Sequence, residues 1–276
     1  MTTTSPAIGT ALVRPPGHRL TEGIITHQDR VPVDYSLASQ QWTAYCDAMT
    51  TAGWDLVEVP GADDCPDAVF VEDTVVMYRN VAVISRPGAR ARRPETAAVA
   101  LLLEALGCSL NHIVAPGTLD GGDVLKVDDV VYVGRGGRTN AEGIRQLRAI
   151  LTPLGATVVA VPTERVLHLK SAVTALPDGS IIGYPPLVDD AAFFPRFVPV
   201  PEGSGAHVVL LGGQRLLMAA DCPKTAEHLQ DLGYDLTVVD ISEFQKLEGC
   251  VTCLSVRLRT IPPGTHLARA KAAPLE

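Results

Sequence analysis

The 276-residue sequence has no excess of basic residues. Its 23 Lys and Arg stand against 31 Asp and Glu, a formal charge of -8 with a pI near 5.4. That balance argues against nucleic acid as a partner, because phosphate backbones are met by basic faces. It suits a cationic small molecule. No apolar stretch approaches the ~20 residues that a bilayer crossing needs, so no membrane partner is expected. The first residues, Met1-Thr2-Thr3-Thr4-Ser5-Pro6, lack a basic region followed by an apolar run, and no secretory leader is expected. The six cysteines are irregularly spaced, unlike a disulfide framework, which belongs to shorter secreted chains. Cys250-x-x-Cys253 has no second such pair and no paired histidines to complete a zinc site. These absences leave a cytoplasmic, enzyme-sized protein with reduced thiols and a hydrophobic content of 46%, enough for a sizeable core.

What the sequence does hold is a repeat, visible once the glycines are marked. Helical stretches over Gln40–Ala52, Pro94–Leu106, Asn140–Leu154 and Pro223–Leu232 each stop at a glycine: Gly53, Gly107, Gly155 and Gly233. Glycine takes the left-handed conformation that ends a helix, and Pro94, Asn140 and Pro223 suit helix starts. Strands follow at Asp55–Val59, Leu110–Val114, Thr157–Val161 and Asp235–Val239. Hairpins precede three of the helices, turning at Arg79-Asn80, Asp128-Asp129 and Gly212-Gly213. A fourth hairpin turns at Pro177-Asp178-Gly179 and leads to a weak helix cut by Pro195. The unit is hairpin, helix, strand, of roughly 40–50 residues, a period of stacked or radial repeats. A fifth unit is split between the termini, with Cys253–Arg259 pairing with Thr10–Val13. Closing the last unit with the N-terminal strand removes exposed sheet edges. The expectation is therefore one ring-shaped α/β domain over residues 1–276.

In such a ring the junctions that enter successive hairpins converge on the axis. They read Asp67-Ala68-Val69-Phe70-Val71-Glu72-Asp73, then Leu119-Asp120-Gly121-Gly122-Asp123, then His168-Leu169-Lys170-Ser171, and last Cys253 before the alternating Leu254, Val256 and Leu258. Carboxylates, a histidine and a thiol thus occupy matching places, as covalent catalysis requires. Each has a plainer alternative. Asp120-Gly121 is a common turn signal. His168 in an apolar run is often a hydrogen-bonded core residue. Cys250 and Cys253 can be core thiols, a redox pair or half a metal site. The irregular stretch from Arg14 to Asp34, with His18, Arg19 and His27, reads as a lid or as a surface loop. The tail after Thr260 is expected to be mobile at its end.

Six blocks in order carry a resemblance. They are Asp67…Phe70-Val71-Glu72-Asp73, Arg86-Pro87-Gly88-Ala89…Arg92-Arg93, Leu119-Asp120-Gly121-Gly122-Asp123, Arg138-Thr139-Asn140, His168-Leu169-Lys170-Ser171 and Thr252-Cys253-Leu254-Ser255. Together they resemble the signature blocks of the dimethylarginine dimethylaminohydrolase family of guanidine-modifying enzymes. The resemblance implies a five-module ββαβ propeller (the pentein fold) with pseudo-fivefold symmetry and hydrolysis of Nω-methylated arginines to citrulline, without metal or cofactor. It implies Cys253 as nucleophile, His168 as general acid and base, and Asp120 as the carboxylate that orients the guanidinium and supports His168. Glu72 and Asp73 would bind guanidinium nitrogens or hold the site network. Arg92 and Arg138 would grip the substrate carboxylate. Asp67 and the backbone carbonyl near Leu247 would take the α-amino group. The same chemistry on another guanidine (arginine itself or a hydroxylated arginine) and a non-catalytic propeller that binds a partner through its ring face stay open. So does a homodimer through exposed module faces.

The carboxylates Glu72, Asp73 and Asp120 disfavour a thiolate beside them. Cys253 is therefore expected to be a thiol in the empty site and to ionise when a cationic substrate binds. The rate of its alkylation against pH, without substrate, checks this; a midpoint below about 7, as in activated thiols, contradicts it.

Overall fold

The helix-ending glycines set the architecture. Gly53, Gly107, Gly155 and Gly233 have φ of 98°, 77°, 94° and 90°, where a side chain would be strained. Each turns its helix back along the strand before it. The computed structural model describes residues 8–259, and the tail after Thr260 lies outside them.

The chain opens with β1 (Gly9–Val13), α1 (Tyr35–Thr51) and β2 (Trp54–Glu58). The second module is β3 (Val75–Tyr78), β4 (Val81–Ile84), α2 (Thr96–Ala105) and β5 (Ser109–His112). The third is β6 (Val124–Val127), β7 (Val130–Arg135), α3 (Ala141–Leu151) and β8 (Thr157–Pro162). The fourth has β9 (Val173–Ala175), β10 (Ile181–Gly183) and β11 (Phe197–Pro199) with no α-helix among them. The fifth is β12 (Val208–Gly212), β13 (Arg215–Ala219), α4 (Pro223–Asp231) and β14 (Asp235–Val239). A short α5 (Ser242–Gln245) leads to β15 (Val256–Leu258).

Five three-stranded sheets result among the described residues. In each, the first two strands run antiparallel and the third lies parallel to the middle one. The split module obeys the same rule: β15 pairs antiparallel with β1 from Leu258↔Thr10 to Val256↔Leu12, and β1 pairs in parallel with β2. Residues of β3, β6, β9, β12 and β15, the first strand of every module, line one central cavity of about 370 Å³. The fold is thus the expected five-module α/β propeller, closed at its seam by β15.

Helix faces seal the modules. On α3, Ile144, Leu147 and Leu151 fall on one stripe and are buried against Val131, Val133 and Val158. On α1, Ala38, Tyr45 and Met49 do the same, and Tyr45 hydroxyl meets Ser255 Oγ at 2.7 Å in the interior. No helix among the described residues is long and apolar enough to cross a membrane.

Three local expectations shift. α1 begins at Tyr35, not Gln40, because the Asp34 carboxylate caps the amides of Ser36 and Leu37. Pro94 sits inside a 3-10 turn over Arg90–Glu95, and α2 starts after it. The last strand begins at Val256, so Cys253 belongs to a turn in which its amide donates to the Cys250 carbonyl at 3.0 Å. The fourth module's helix is reduced to 3-10 turns at Pro185–Leu187 and Ala191–Phe193, as its prolines dictate.

Leu147 is fully buried on α3. Leu147→Ala is expected to cost about 2–5 kcal/mol, read as a lowered midpoint in chemical denaturation.

Candidate active site

Three inner strands are entered through short 3-10 turns, Val71–Thr74, Gly121–Asp123 and Leu169–Ser171. Glycine lets the turns meet. A methyl group on Gly122 would lie 2.6 Å from both Asp73 Oδ1 and His168 Nδ1, and one on Gly121 would collide with the Glu72 carbonyl. The Asp120-Gly121-Gly122-Asp123 run is therefore a close-packing element. Its Gly122 amide donates to Asp73 Oδ1 at 2.8 Å.

His168 is the centre of this cluster and is 2% exposed. Its Nε2 lies 3.0 Å from Asp120 Oδ2, and its Nδ1 is 3.7 Å from Asp73 Oδ1, beyond hydrogen-bond reach. Asp120 in turn accepts from the Gly88 amide at 2.9 Å. Asp123 accepts from the Leu169 amide at 3.0 Å and from Thr139 Oγ1 at 2.6 Å, fixing the backbone beside the imidazole. Burial alone would discharge His168, but Asp73, Asp120 and Asp123 outweigh it and raise its pKa from 6.5 to about 9. Burial likewise works to raise Asp73, yet His168 and Arg92 hold its carboxyl down at about 2. Asp123 has less compensation, and burial lifts it to about 6.

A small cavity of about 20 Å³ brings most of the expected residues together: Asp67, Asp73, Arg92, Arg138, His168, Leu247 and Cys253. Two expected residues do not line it. Asp120 is set back from it, its Oδ2 lying 3.0 Å from His168 Nε2 and 3.9 Å from Arg138 Nη1. Glu72 lines the larger central cavity instead. Its Oε1 accepts from Lys170 Nζ at 2.6 Å and Arg257 Nη2 at 3.1 Å, while Oε2 is buried without a partner. The Glu72 amide donates to the Cys253 carbonyl at 3.2 Å, so that carboxylate belongs to the turn next to the thiol.

The two arginines differ. Arg92 is enclosed by acceptors: Asp73 Oδ2 at 2.6 Å, Glu95 Oε1 and Oε2 at 3.0 and 2.8 Å, and the carbonyls of Asp67 and Phe70 at 3.2 Å each. It ties Asp73 in place and keeps one Nη1 hydrogen. Arg138 makes one hydrogen bond, from Nη2 to Thr26 Oγ1 at 3.2 Å; its buried Nη1 has no hydrogen-bond partner and lies 3.9 Å from Asp120 Oδ2.

The stretch from Arg14 to Asp34, expected as a lid or a surface loop, packs against the cavity and lends it Ile24. Asp67 accepts from the Ile24 amide at 3.0 and 3.2 Å, and Glu248 accepts from the amides of Thr26 (at 2.9 Å) and His27. Arg30 holds the carbonyls of Thr21 and Gly23, and Arg14 is fully buried among three carbonyls. No described residue donates to the Leu247 carbonyl. Ile24, Thr26 and Glu248 carry the lid contacts. Sequence reasoning missed them because backbone amides, not side-chain types, make most of those bonds.

Cys253 is 6% exposed, and its sulfur lies 3.3 Å from that of Cys250. The shared hydrogen bond with Cys250, burial, and the charges of Glu72 and Asp73 push the Cys253 thiol up. Asp73, Asp120 and His168 present ligand-type atoms within 4.8 Å of one another. Their lone pairs, however, are already directed at Arg92, the Gly122 amide and each other.

The model of the arginine deiminase family matches residues 57–211. The chain is 66% identical over 251 residues to N(G),N(G)-dimethylarginine dimethylaminohydrolase of Streptomyces coelicolor, covering 91% of this chain and 97% of that one. It is 36% identical to the Pseudomonas aeruginosa protein of the same name, covering 89% and 98%. A solved structure of a Cys-to-Ser mutant of the P. aeruginosa enzyme, complexed with citrulline, superposes with a TM-score of 0.85 at 34% identity, covering 91% of this chain and all of that one. The N-terminal domain of ArgZ, at 21% identity and a TM-score of 0.81, shares the fold.

His168 binds its proton more tightly in the folded chain than in the unfolded one. Its contribution to stability is therefore full below pH 6.5 and is lost as pH rises through about 9. An NMR titration of the His168 imidazole in the empty enzyme is expected to show a midpoint near 9. A midpoint at the ordinary value would overturn the carboxylate clamp.

Proposed function

Because the chain belongs to the dimethylarginine dimethylaminohydrolase family, we propose that it hydrolyses Nω-methylated L-arginines to L-citrulline and dimethylamine or methylamine. The observation that carries this reading is the charged imidazole of His168 sharing a small buried cavity with the Cys253 sulfur. Arg138 Nη1, buried without a hydrogen-bond partner on the same cavity, suits the substrate carboxylate.

A guanidinium is flat, cationic and resonance-stabilised, hence a poor electrophile. Asp73, which lines the same cavity as Cys253, holds its plane and keeps charge on its carbon. One such pair at about 4 Å and an effective dielectric near 20 is worth roughly 4 kcal/mol before desolvation. Arg138 takes the substrate carboxylate, and Arg92 contributes its remaining hydrogen while steadying Asp73. The α-amino group bonds Asp67, shared with the lid, and the free Leu247 carbonyl.

Substrate charge offsets that of the carboxylates, so Cys253 gives up its proton to solvent on binding. The thiolate attacks the central carbon. His168 Nδ1 gives its proton to the methylated nitrogen, the C–N bond breaks, and neutral amine departs. A planar S-alkylthiouronium remains on Cys253. His168, now neutral, takes a proton from water, whose oxygen bonds the same carbon. The C–S bond breaks, its electron pair stays on sulfur, the remaining hydroxyl proton passes to that thiolate or to solvent, and citrulline leaves. Asp120 stabilises the imidazolium in both halves. A positioned acid and base is worth about 10²–10⁴ in rate.

The whole chain acts in this reading as one propeller domain on a small molecule. Six free cysteines suit a reducing, cytoplasmic setting. A second reading, deimination of unmethylated arginine, draws on the arginine deiminase family match.

Incubation with asymmetric dimethylarginine is expected to release citrulline and dimethylamine in equal amounts, and Cys253→Ser to release neither. Ammonia from arginine at a higher kcat/KM would favour the second reading.

A further inference from the structure

Cys250 has no part in the chemistry proposed above, yet its sulfur is in direct contact with that of the candidate nucleophile. The two Sγ atoms lie 3.3 Å apart, and neither is in a disulfide. Both residues belong to one tight turn, closed by the hydrogen bond from the Cys253 amide to the Cys250 carbonyl at 3.0 Å. A disulfide needs about 2.05 Å between sulfurs, so closure asks for little more than side-chain rotation within that turn.

Access is graded. Cys253 lines the lidded cavity, whereas Cys250 lies behind it, 3% exposed and against Thr252 Oγ1 at 3.3 Å. With Ile24 and Glu248 packed over it, the cavity of about 20 Å³ has room for a molecule the size of water or peroxide, whereas the larger substrate needs that cover displaced. A small oxidant therefore meets the sulfur of Cys253 first, with a second thiol already in contact on the inner side.

We propose that Cys250 is a resolving thiol that captures peroxide-oxidised Cys253 as a reversible disulfide, switching the enzyme off and shielding its nucleophile. This rests on the reading of Cys253 as that nucleophile. In the first step the Cys253 sulfur bonds one peroxide oxygen, the O–O bond breaks, and the other oxygen leaves as water with the thiol proton. In the second step the Cys250 sulfur bonds the Cys253 sulfur, the S–O bond breaks, and the hydroxyl leaves as water with the Cys250 proton. Two thiols are oxidised by two electrons and one hydrogen peroxide is reduced to two waters. Without a neighbour, a sulfenic acid proceeds under excess peroxide to the irreversible sulfinic acid.

The test uses the full chain and excess hydrogen peroxide. Free thiols are then alkylated, and the protein is digested with trypsin without reductant. Lys246 and Arg257 bound a peptide of residues 247–257 that holds both cysteines. In the wild type this peptide is expected two hydrogens lighter than its reduced form and unalkylated. Citrulline formation should be lost and then recovered with dithiothreitol. In Cys250→Ser the same peptide is expected to gain oxygens, and the loss of citrulline formation, relative to that variant's untreated rate, should resist dithiothreitol. A wild-type peptide that gains oxygens without forming the disulfide overturns the proposal, as does equal recovery in Cys250→Ser. Failure of the function reading is separate: untreated protein then makes no citrulline, while the peptide mass still reports the disulfide.

Discussion

An imidazole set between two carboxylates is what the rest of the site depends on. His168 touches Asp120 with one nitrogen and approaches Asp73 with the other. Burial would normally strip its charge, and the flanking acids restore it. The same charge lets two buried carboxylates coexist without neutralising each other, and Arg92 then fixes the outer one through Asp73 Oδ2. Remove the imidazolium and Asp73, Asp120 and Asp123 become three acids crowded in a dry interior, where repulsion drives protons onto them. In the proposed reaction this arrangement would hold a proton where the leaving amine needs one.

The propeller supplies the positions. Each module places the start of its first strand at the axis, so residues far apart in sequence are delivered to one spot without long-range loops. Close approach of the turns is bought with glycine: Gly121 and Gly122 stand where any side chain would displace Glu72, Asp73 or His168.

Much of this was legible in the sequence. Helix, glycine, strand recurs with a constant order, and turn pairs such as Arg79-Asn80 mark the hairpins, so local chemistry alone reveals the modules. The meeting of Asp73, His168 and Cys253 follows from their equivalent places in those modules. Other features were hidden for physical reasons. The first turn of α1 rests on Asp34 capping, a signal shared with ordinary loops. Glu72 and Asp73 are adjacent in sequence, but a 3-10 turn sends them to opposite sides, one to the thiol's cavity and one to the central pore. The division between Arg92 and Arg138 depends on which acceptors surround each guanidinium, and residue type is silent on that. The Cys250 contact is a matter of rotamers within a single turn.

Glu72, clasped by Lys170 and Arg257, belongs to the wall of the central cavity, which shares no lining residue with the cavity of the thiol. In the proposed reaction, departing amine and arriving water would both occupy the small space that Cys253 lines, so the first product would have to clear before the second half-reaction begins.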